Sequence, residues 1–123
     1  MAIEKHVLKV STTGGDGSAT GSSILALPLV ELLAIHLDFN ASAPATTDTT
    51  VTASGNPLAV TLLTVTDSVT DAWFYPKVQD DDNSGSAITG SYSHPIIQEH
   101  LTIDLAQCNA LTDAVVATIY VRI

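Results

Sequence analysis

The last ten residues, AVVATIYVRI (residues 114–123), decide the fold class of this chain. Apolar side chains recur there at every second position, at Val115, Ala117, Ile119, Val121 and Ile123. This period is typical of a half-buried β-strand, since successive side chains of a strand point to opposite sides. Residues 33–39 and 101–105 repeat the pattern. We therefore expect a strand at each of the three places.

Short strands separated by turn residues are expected along the rest of the chain. We count about seven to nine strands and no long helical period, which predicts an all-β antiparallel β-sandwich of jelly-roll or Greek-key type. One domain spans residues 1–123, with a flexible Gly/Ser loop at about residues 12–23. Residues 25–37 also contain good helix formers, so a helix remains an alternative for part of that segment.

The charge of the chain argues against nucleic acid as a partner. It has 4 Lys and Arg residues against 13 Asp and Glu, which gives a formal net charge of -9 over 123 residues. Such a surface repels a phosphate backbone. Only 14% of the residues are charged, against roughly 25% in an average soluble domain, and Ser, Thr and Asn carry much of the polar surface.

No membrane segment is expected either. The most apolar stretch, ILALPLVELLAIHL (residues 24–37), is too short to cross a bilayer and contains Pro28, Glu31 and His36. The N-terminal residues lack the apolar run of a signal peptide, so we expect a soluble protein made in the cytoplasm. Cys108 is the single cysteine, which excludes an internal disulfide and a multi-cysteine metal site.

The acidic loop at Asp80–Asp82 has two interpretations. Asp80, Asp82, Ser84 and Gly85 match positions 1, 3, 5 and 6 of a helix-loop-helix calcium loop, but Ser91 stands where the bidentate Glu belongs. An irregular calcium site therefore stays open as an alternative. A solvated turn is favoured, because Asp, Asn, Ser and Gly are good turn residues. We expect no tight calcium binding.

Catalytic chemistry is not indicated. His6, His36, His94 and His100 are scattered along the chain, and a three-histidine metal site would need the fold to bring its ligands together. The chain lacks a Gly-x-Ser-x-Gly nucleophile motif. We therefore assign no catalytic residue, cofactor or metal and expect a protein that is not an enzyme.

Six side chains are candidates for an interface. Trp73 and Tyr75 share one face of an extended segment, where they would stack on a sugar or, as we favour, anchor a core or an interface. LAVTLLTVT (residues 58–66) and the closing strand are apolar on both faces. Leu63, Val65, Val116 and Tyr120 are expected to point away from the core, which predicts self-association. The alternative is that both faces of these strands are core.

Several stretches together resemble small all-β structural proteins of tailed bacteriophages, the head decoration or cement proteins among them. These stretches are the Gly/Ser loop before a strand that ends in LDF, APATTDTTVTAS, LAVTLLTVTDSVTDAWFYP, DDDNSG and VVATIYVRI. The resemblance covers residues from about Thr20 to Ile123 and includes no catalytic signature.

The resemblance implies a virion structural protein on the capsid exterior. It implies a symmetric homo-oligomer, with a trimer favoured, that binds the major capsid protein and stabilises the shell. The alternative is a receptor- or carbohydrate-binding module of a phage fibre or tail.

Overall fold

The protein is all-β, as expected from the period-two segments. The computed structural model describes residues 2–54 and 59–123, and within these ranges the chain forms nine strands and no helix. The strands are β1 (Ile3–Val10), β2 (Ala19–Phe39), β3 (Asp48–Ser54), β4 (Ala59–Val65), β5 (Ala72–Phe74), β6 (Val78–Asp81), β7 (Ala87–Ser93), β8 (Ile96–Cys108) and β9 (Val115–Arg122). Over the same ranges, no helix exists that is long and apolar enough to cross a membrane.

Strand β2 belongs to both layers of a sandwich. The main sheet has the order β1-β9-β2-β8-β3-β4, and all of its pairs are antiparallel. The first part of β2, up to Glu31, pairs with β8, whereas its second part pairs with β9 along the opposite edge. Strand β5 pairs with β2 at Ile35–Leu37, beyond the residues of β2 that pair with β8. One layer is therefore β4-β3-β8-β2, the other is β5-β2-β9-β1, and a single apolar core lies between them.

The inward positions of β9 are those that the sequence predicts. Val115, Ala117, Ile119 and Val121 are fully buried. Ile123, expected on the same face, is 52% exposed because it follows the end of the strand. The alternation over residues 101–105 is confirmed as well, since Leu101, Ile103 and Leu105 are buried while Asp104 is exposed.

A β-bulge at Leu33 shifts the alternation within β2. Leu32 pairs with Val121 and Ala34 with Tyr120, so Leu33 is the extra residue. Leu32 faces the core before the bulge, and Ile35, Leu37 and Phe39 face it afterwards. Leu33 itself, predicted to face inward, is only half-buried. Residues 25–37 are strand throughout, so the helical alternative is wrong.

The Gly/Ser loop ends earlier than residue 23, and it makes hydrogen bonds to a distant part of the chain. Strand β2 already begins at Ala19, and Thr13 pairs with Thr20 as an isolated bridge. The loop is held against residues 109–113, because the Gly17 amide donates to Asn109 Oδ1 at 2.9 Å. Local composition could not predict this contact, since it connects residues 92 positions apart. The flexibility of the loop stays a prediction.

Two buried threonines of the core should respond oppositely to replacement by valine. The Thr12 hydroxyl donates to the Asn109 carbonyl and accepts from the Leu111 amide, whereas Thr49 Oγ1 is buried without a hydrogen-bond partner among the described residues. We expect Thr12→Val to lower the free energy of unfolding by about 1–3 kcal/mol, because it leaves two polar groups unpaired. Thr49→Val should raise it by about 1 kcal/mol, because valine has the same shape without the unpaired hydroxyl.

Denaturant titration of both variants beside the unmodified protein measures these changes. Both substitutions replace a buried threonine with valine, so each is the control for the other. Equal shifts of the two midpoints in the same direction would contradict the assignment of the hydrogen bonds.

Candidate functional site

An exposed aromatic surface covers the outer side of the layer β5-β2-β9-β1. We call it the aromatic face and define it by Val7, His36, Trp73, Tyr75 and Tyr120. Strand register builds it, because Val7 pairs with Thr118, Thr118 with His36, and His36 with Trp73 across four neighbouring strands. Tyr120 lies two residues beyond Thr118 on the same side of β9. Tyr75 follows β5 two residues after Trp73, and the intervening Phe74 packs against the core.

Trp73 is the centre of this surface. Its ring lies 4.8 Å from that of His36 at an interplanar angle of 55°, and 5.8 Å from that of Tyr120 at 33°. Tilted ring pairs at such distances attract one another beyond the area they bury. The contacts orient the indole, yet 46% of Trp73 and 63% of Tyr75 are exposed. Contiguous exposed apolar surfaces of this kind are uncommon on monomeric soluble proteins, which makes the aromatic face the candidate site.

Charged side chains lie in the rows around the aromatic face and not at its centre. Lys5 pairs with Tyr120 on β9, and Lys9 and Asp38 flank Val116 in the last row. At the end of the aromatic face opposite to Lys9 and Asp38, Arg122 Nη1 lies 3.3 Å from Glu31 Oε2. An apolar centre with charges at the rim is the usual anatomy of a protein–protein interface.

The fold brings together four of the six predicted interface residues. Trp73, Tyr75 and Tyr120 belong to the aromatic face, and Val116 lies half-buried in the row of Lys9 and Asp38 on the same side of β9. That these residues form an interface stays a prediction.

Leu63 and Val65 differ from expectation. Both pack against the core, because the register of β4 places them beside Val51 and Thr49 on the inward side of β3. The prediction that they point away from the core is wrong. The sequence pattern of this segment is ambiguous because both of its faces are apolar. The register of β4 on β3 also shifts between Leu63 and Thr61. Leu58, assigned with this strand, lies outside the described residues.

The outer side of the other layer carries rows of hydroxyl groups. We call it the threonine face and define it by Thr50, Thr52, Thr61, Thr64 and Thr102. Thr52 pairs with Thr61 on one side and Thr102 on the other, and Thr50 pairs with Thr64. His100 and Asp104 on β8 add polar groups at the same outward positions. This face presents hydrogen-bonding groups at low charge, which limits the desolvation cost of packing against a partner.

The acidic segment, predicted as a solvated turn, belongs to a hairpin formed by β6 and β7, in which Asp80 and Asp81 end β6 and Asp82 opens the turn. Asp82 Oδ1 accepts from the amides of Ser84 and Ser86, which caps the turn. Asp80 accepts hydrogen bonds from the hydroxyls of Ser93 and Ser91, which lower the pKa of its carboxyl below the usual 3.8. The two carboxylates are thus engaged by different parts of the hairpin. The absence of tight calcium binding stays a prediction.

The four histidines lie in separate places. His36 stacks on Trp73, His94 lies 3.0 Å from Lys77 Nζ, and His6 lies 3.2 Å from Glu4. His100 belongs to the opposite layer. Within residues 2–54 and 59–123, no three metal-binding side chains come together.

Sequence reasoning missed a groove at the base of the β6–β7 hairpin. Leu29, Ile96 and Ile123 line it and are 66%, 63% and 52% exposed. Their positions along the chain gave no signal, since they come from the middle of β2, the start of β8 and the residue after β9, which only the fold brings together.

No family model, curated protein or solved structure matches this chain.

Proposed function

We propose that this protein is a virion structural protein that decorates and stabilises the outer surface of a tailed-phage capsid as a homo-oligomer. The resemblance to phage decoration proteins suggests the shell as the partner. The aromatic face is the observation that carries the proposal, because it presents an oriented, half-exposed Trp73 on a paired sheet. The proposal needs no catalytic residue and no cofactor.

The shape of the face suits docking on a preformed protein surface. Its side chains stand on four paired strands, so little conformational entropy is lost when a partner binds. Large aromatic residues at the centre of a patch supply much of the binding energy of an interface. A protein that binds the assembled lattice more tightly than free subunits stabilises that lattice by mass action. Many copies at symmetric sites then add their effects.

The charge of the chain fits a position outside the shell. Its formal net charge of -9 repels packaged nucleic acid. The partner in this proposal is therefore the major capsid protein and not the genome.

Trp73→Ala should weaken binding to the shell by about thirtyfold or more, which is the loss expected at the centre of an interface. Co-sedimentation with purified undecorated capsids measures it. Ile24→Ala is the matched control, because Ile24 is 63% exposed but lies on the opposite layer beside Thr102. Wild-type affinity for the Trp73 variant, or no binding of the unmodified protein, would contradict the proposal.

A second candidate function rests on the same two exposed aromatic rings. Trp73 and Tyr75 are neighbours on the aromatic face, and such rings also stack on the apolar faces of sugars. A carbohydrate-binding module of a fibre or tail would bind glycans in a screen and lose that binding in Trp73→Ala. Glycan binding without shell binding would select this function over decoration.

A further inference from the structure

The hairpin β6–β7 forms a separate arm. Its strands pair with each other in a two-stranded sheet, and no other strand of the described residues packs against them. Val78, Ile88 and Tyr92 on this arm are 39%, 43% and 59% exposed. Two-stranded hairpins are marginally stable in water by themselves. The arm therefore gains stability from a surface that covers its apolar side chains.

Both ends of the arm are anchored at its base. Pro76 precedes β6 and Pro95 follows β7, and both prolines are buried. The Pro95 carbonyl accepts from the Leu32 amide at 2.9 Å, which ties the arm to β2. A proline fixes its own backbone angle φ, so the base restricts the direction in which the arm leaves the body. A preorganised arm binds a partner at a lower entropic cost.

A groove lies where the arm joins the body. We call it the base groove, and it is lined by Leu29, Ile96, Ile123, Arg122, Lys77 and Tyr92. Its two parts are continuous, because Glu31 and Ile96 line both. Its floor combines exposed aliphatic side chains with Lys77 and Arg122, two of the four basic residues of the chain. Because Glu31 in the same lining pairs with Arg122, the base groove is apolar and presents the single charge of Lys77, unpaired among the described residues, in an otherwise acidic protein.

The charges along the arm are polarised. Asp82 opens the turn at its tip and Asp81 ends β6 beside it. Asp80 is held by Ser93 and Ser91 of β7, and Lys77 lies at the base beside His94. Among the described residues, no carboxylate lies within ion-pair distance of Lys77 Nζ. The side-chain carboxylate of Asp81 has neither a hydrogen bond nor an ion pair. Asp81 lies four residues from Lys77, so their Cα atoms are roughly 13 Å apart along an extended strand, and their side chains form no ion pair within one subunit. A second molecule can place the Asp81 carboxylate of its own arm against the Lys77 ammonium group.

We propose that the arm of one subunit docks in the base groove of a second copy of this chain, with the acidic tip against Lys77. The apolar side chains of the arm then cover the aliphatic floor of the neighbouring groove, and the opposite charges fix the direction of docking. Such a contact closes a symmetric oligomer when each subunit gives one arm and receives one. This inference deepens the oligomeric part of the proposed function, but its test needs no shell.

Charge reversal and charge exchange test the contact. We expect the unmodified protein to form an oligomer in native mass measurements and in sedimentation. Lys77→Glu and Asp81→Lys should each raise its dissociation constant by about tenfold or more. The double variant Lys77→Glu/Asp81→Lys should return to within about threefold of the unmodified protein, because both partners of the pair are exchanged.

Lys9→Glu and Asp16→Lys are the matched controls, since they make the same charge changes at exposed sites away from the arm. A monomer mass for the unmodified protein would overturn the inference. So would an oligomer that is unaffected by both reversals, or a double variant as weak as the single ones. A monomer that still binds shells would refute the arm contact and leave shell decoration standing. An arm-linked oligomer that does not bind shells would support the arm contact and contradict shell decoration.

Discussion

Gly21→Ala is expected to destabilise the protein by about 3 kcal/mol or more. A Cβ atom at position 21 would lie 2.1 Å from the carbonyl oxygen of Ser11 and 3.0 Å from its carbonyl carbon. These are backbone atoms, so no side-chain rotation relieves the clash. The contact lies where the chain leaving β1 passes the beginning of β2. Alanine would force the two segments apart and break the hydrogen bonds that hold the Gly/Ser loop.

Denaturant unfolding followed by circular dichroism measures this loss. Gly15→Ala is the matched control, because its Cβ would meet only the flexible Ser18 hydroxyl at 3.3 Å. We expect the control to change the unfolding free energy by no more than about 0.5 kcal/mol. A Gly21 variant as stable as the Gly15 variant would refute the close approach of the two segments.

Ile97→Ala should cost about 2–5 kcal/mol of stability, the usual loss when a large aliphatic side chain is truncated in a core. Ile97 is fully buried, and it pairs with the buried Val30 just after the irregularity in the β2–β8 register. The cavity would lie where β2 passes from one layer to the other. Both layers would lose packing there.

The neighbouring isoleucine is the control for this variant. Ile96 is 63% exposed, so Ile96→Ala should change the unfolding free energy by no more than about 0.5 kcal/mol. Thermal and denaturant unfolding of both variants would check the difference. Equal losses would mean that the two side chains do not lie on opposite sides of β8. Ile96 also lines the base groove, so its variant separates an effect on association from an effect on folding.

The two proposals use neighbouring surfaces, because Glu31 and Arg122 lie both at the rim of the aromatic face and in the lining of the base groove. The aromatic face lies on the outer side of β1, β9, β2 and β5, whereas the base groove lies near the end of β9 and the start of β8. An oligomer held by arms can therefore still present an aromatic face from every subunit. Such an oligomer binds the shell with avidity, because once one aromatic face is bound the other faces are held near the shell at a high effective concentration.

The sequence by itself determined the fold class. Alternation in β9 and β8 predicts the buried residues Val115 to Val121 and Leu101 to Leu105, because the period of a strand is a local property of the backbone. It also placed Trp73 and Tyr75 on one face of their segment and predicted that Tyr120 points away from the core. Each of these positions depends only on which side of a strand a residue occupies.

Other features were decided only by the tertiary structure. The bulge at Leu33 exists because β2 changes partners, and that change follows from how β8 and β9 pair with it. Leu63 faces the core because β4 pairs with β3 in a register that local alternation does not specify. The groove beside the arm required the middle of β2, the start of β8 and the end of β9 to meet. Composition predicted a polar turn at Asp80–Asp82, but pairing between β6 and β7 made it the tip of an arm, because contacts between distant residues are set by packing and not by local pattern.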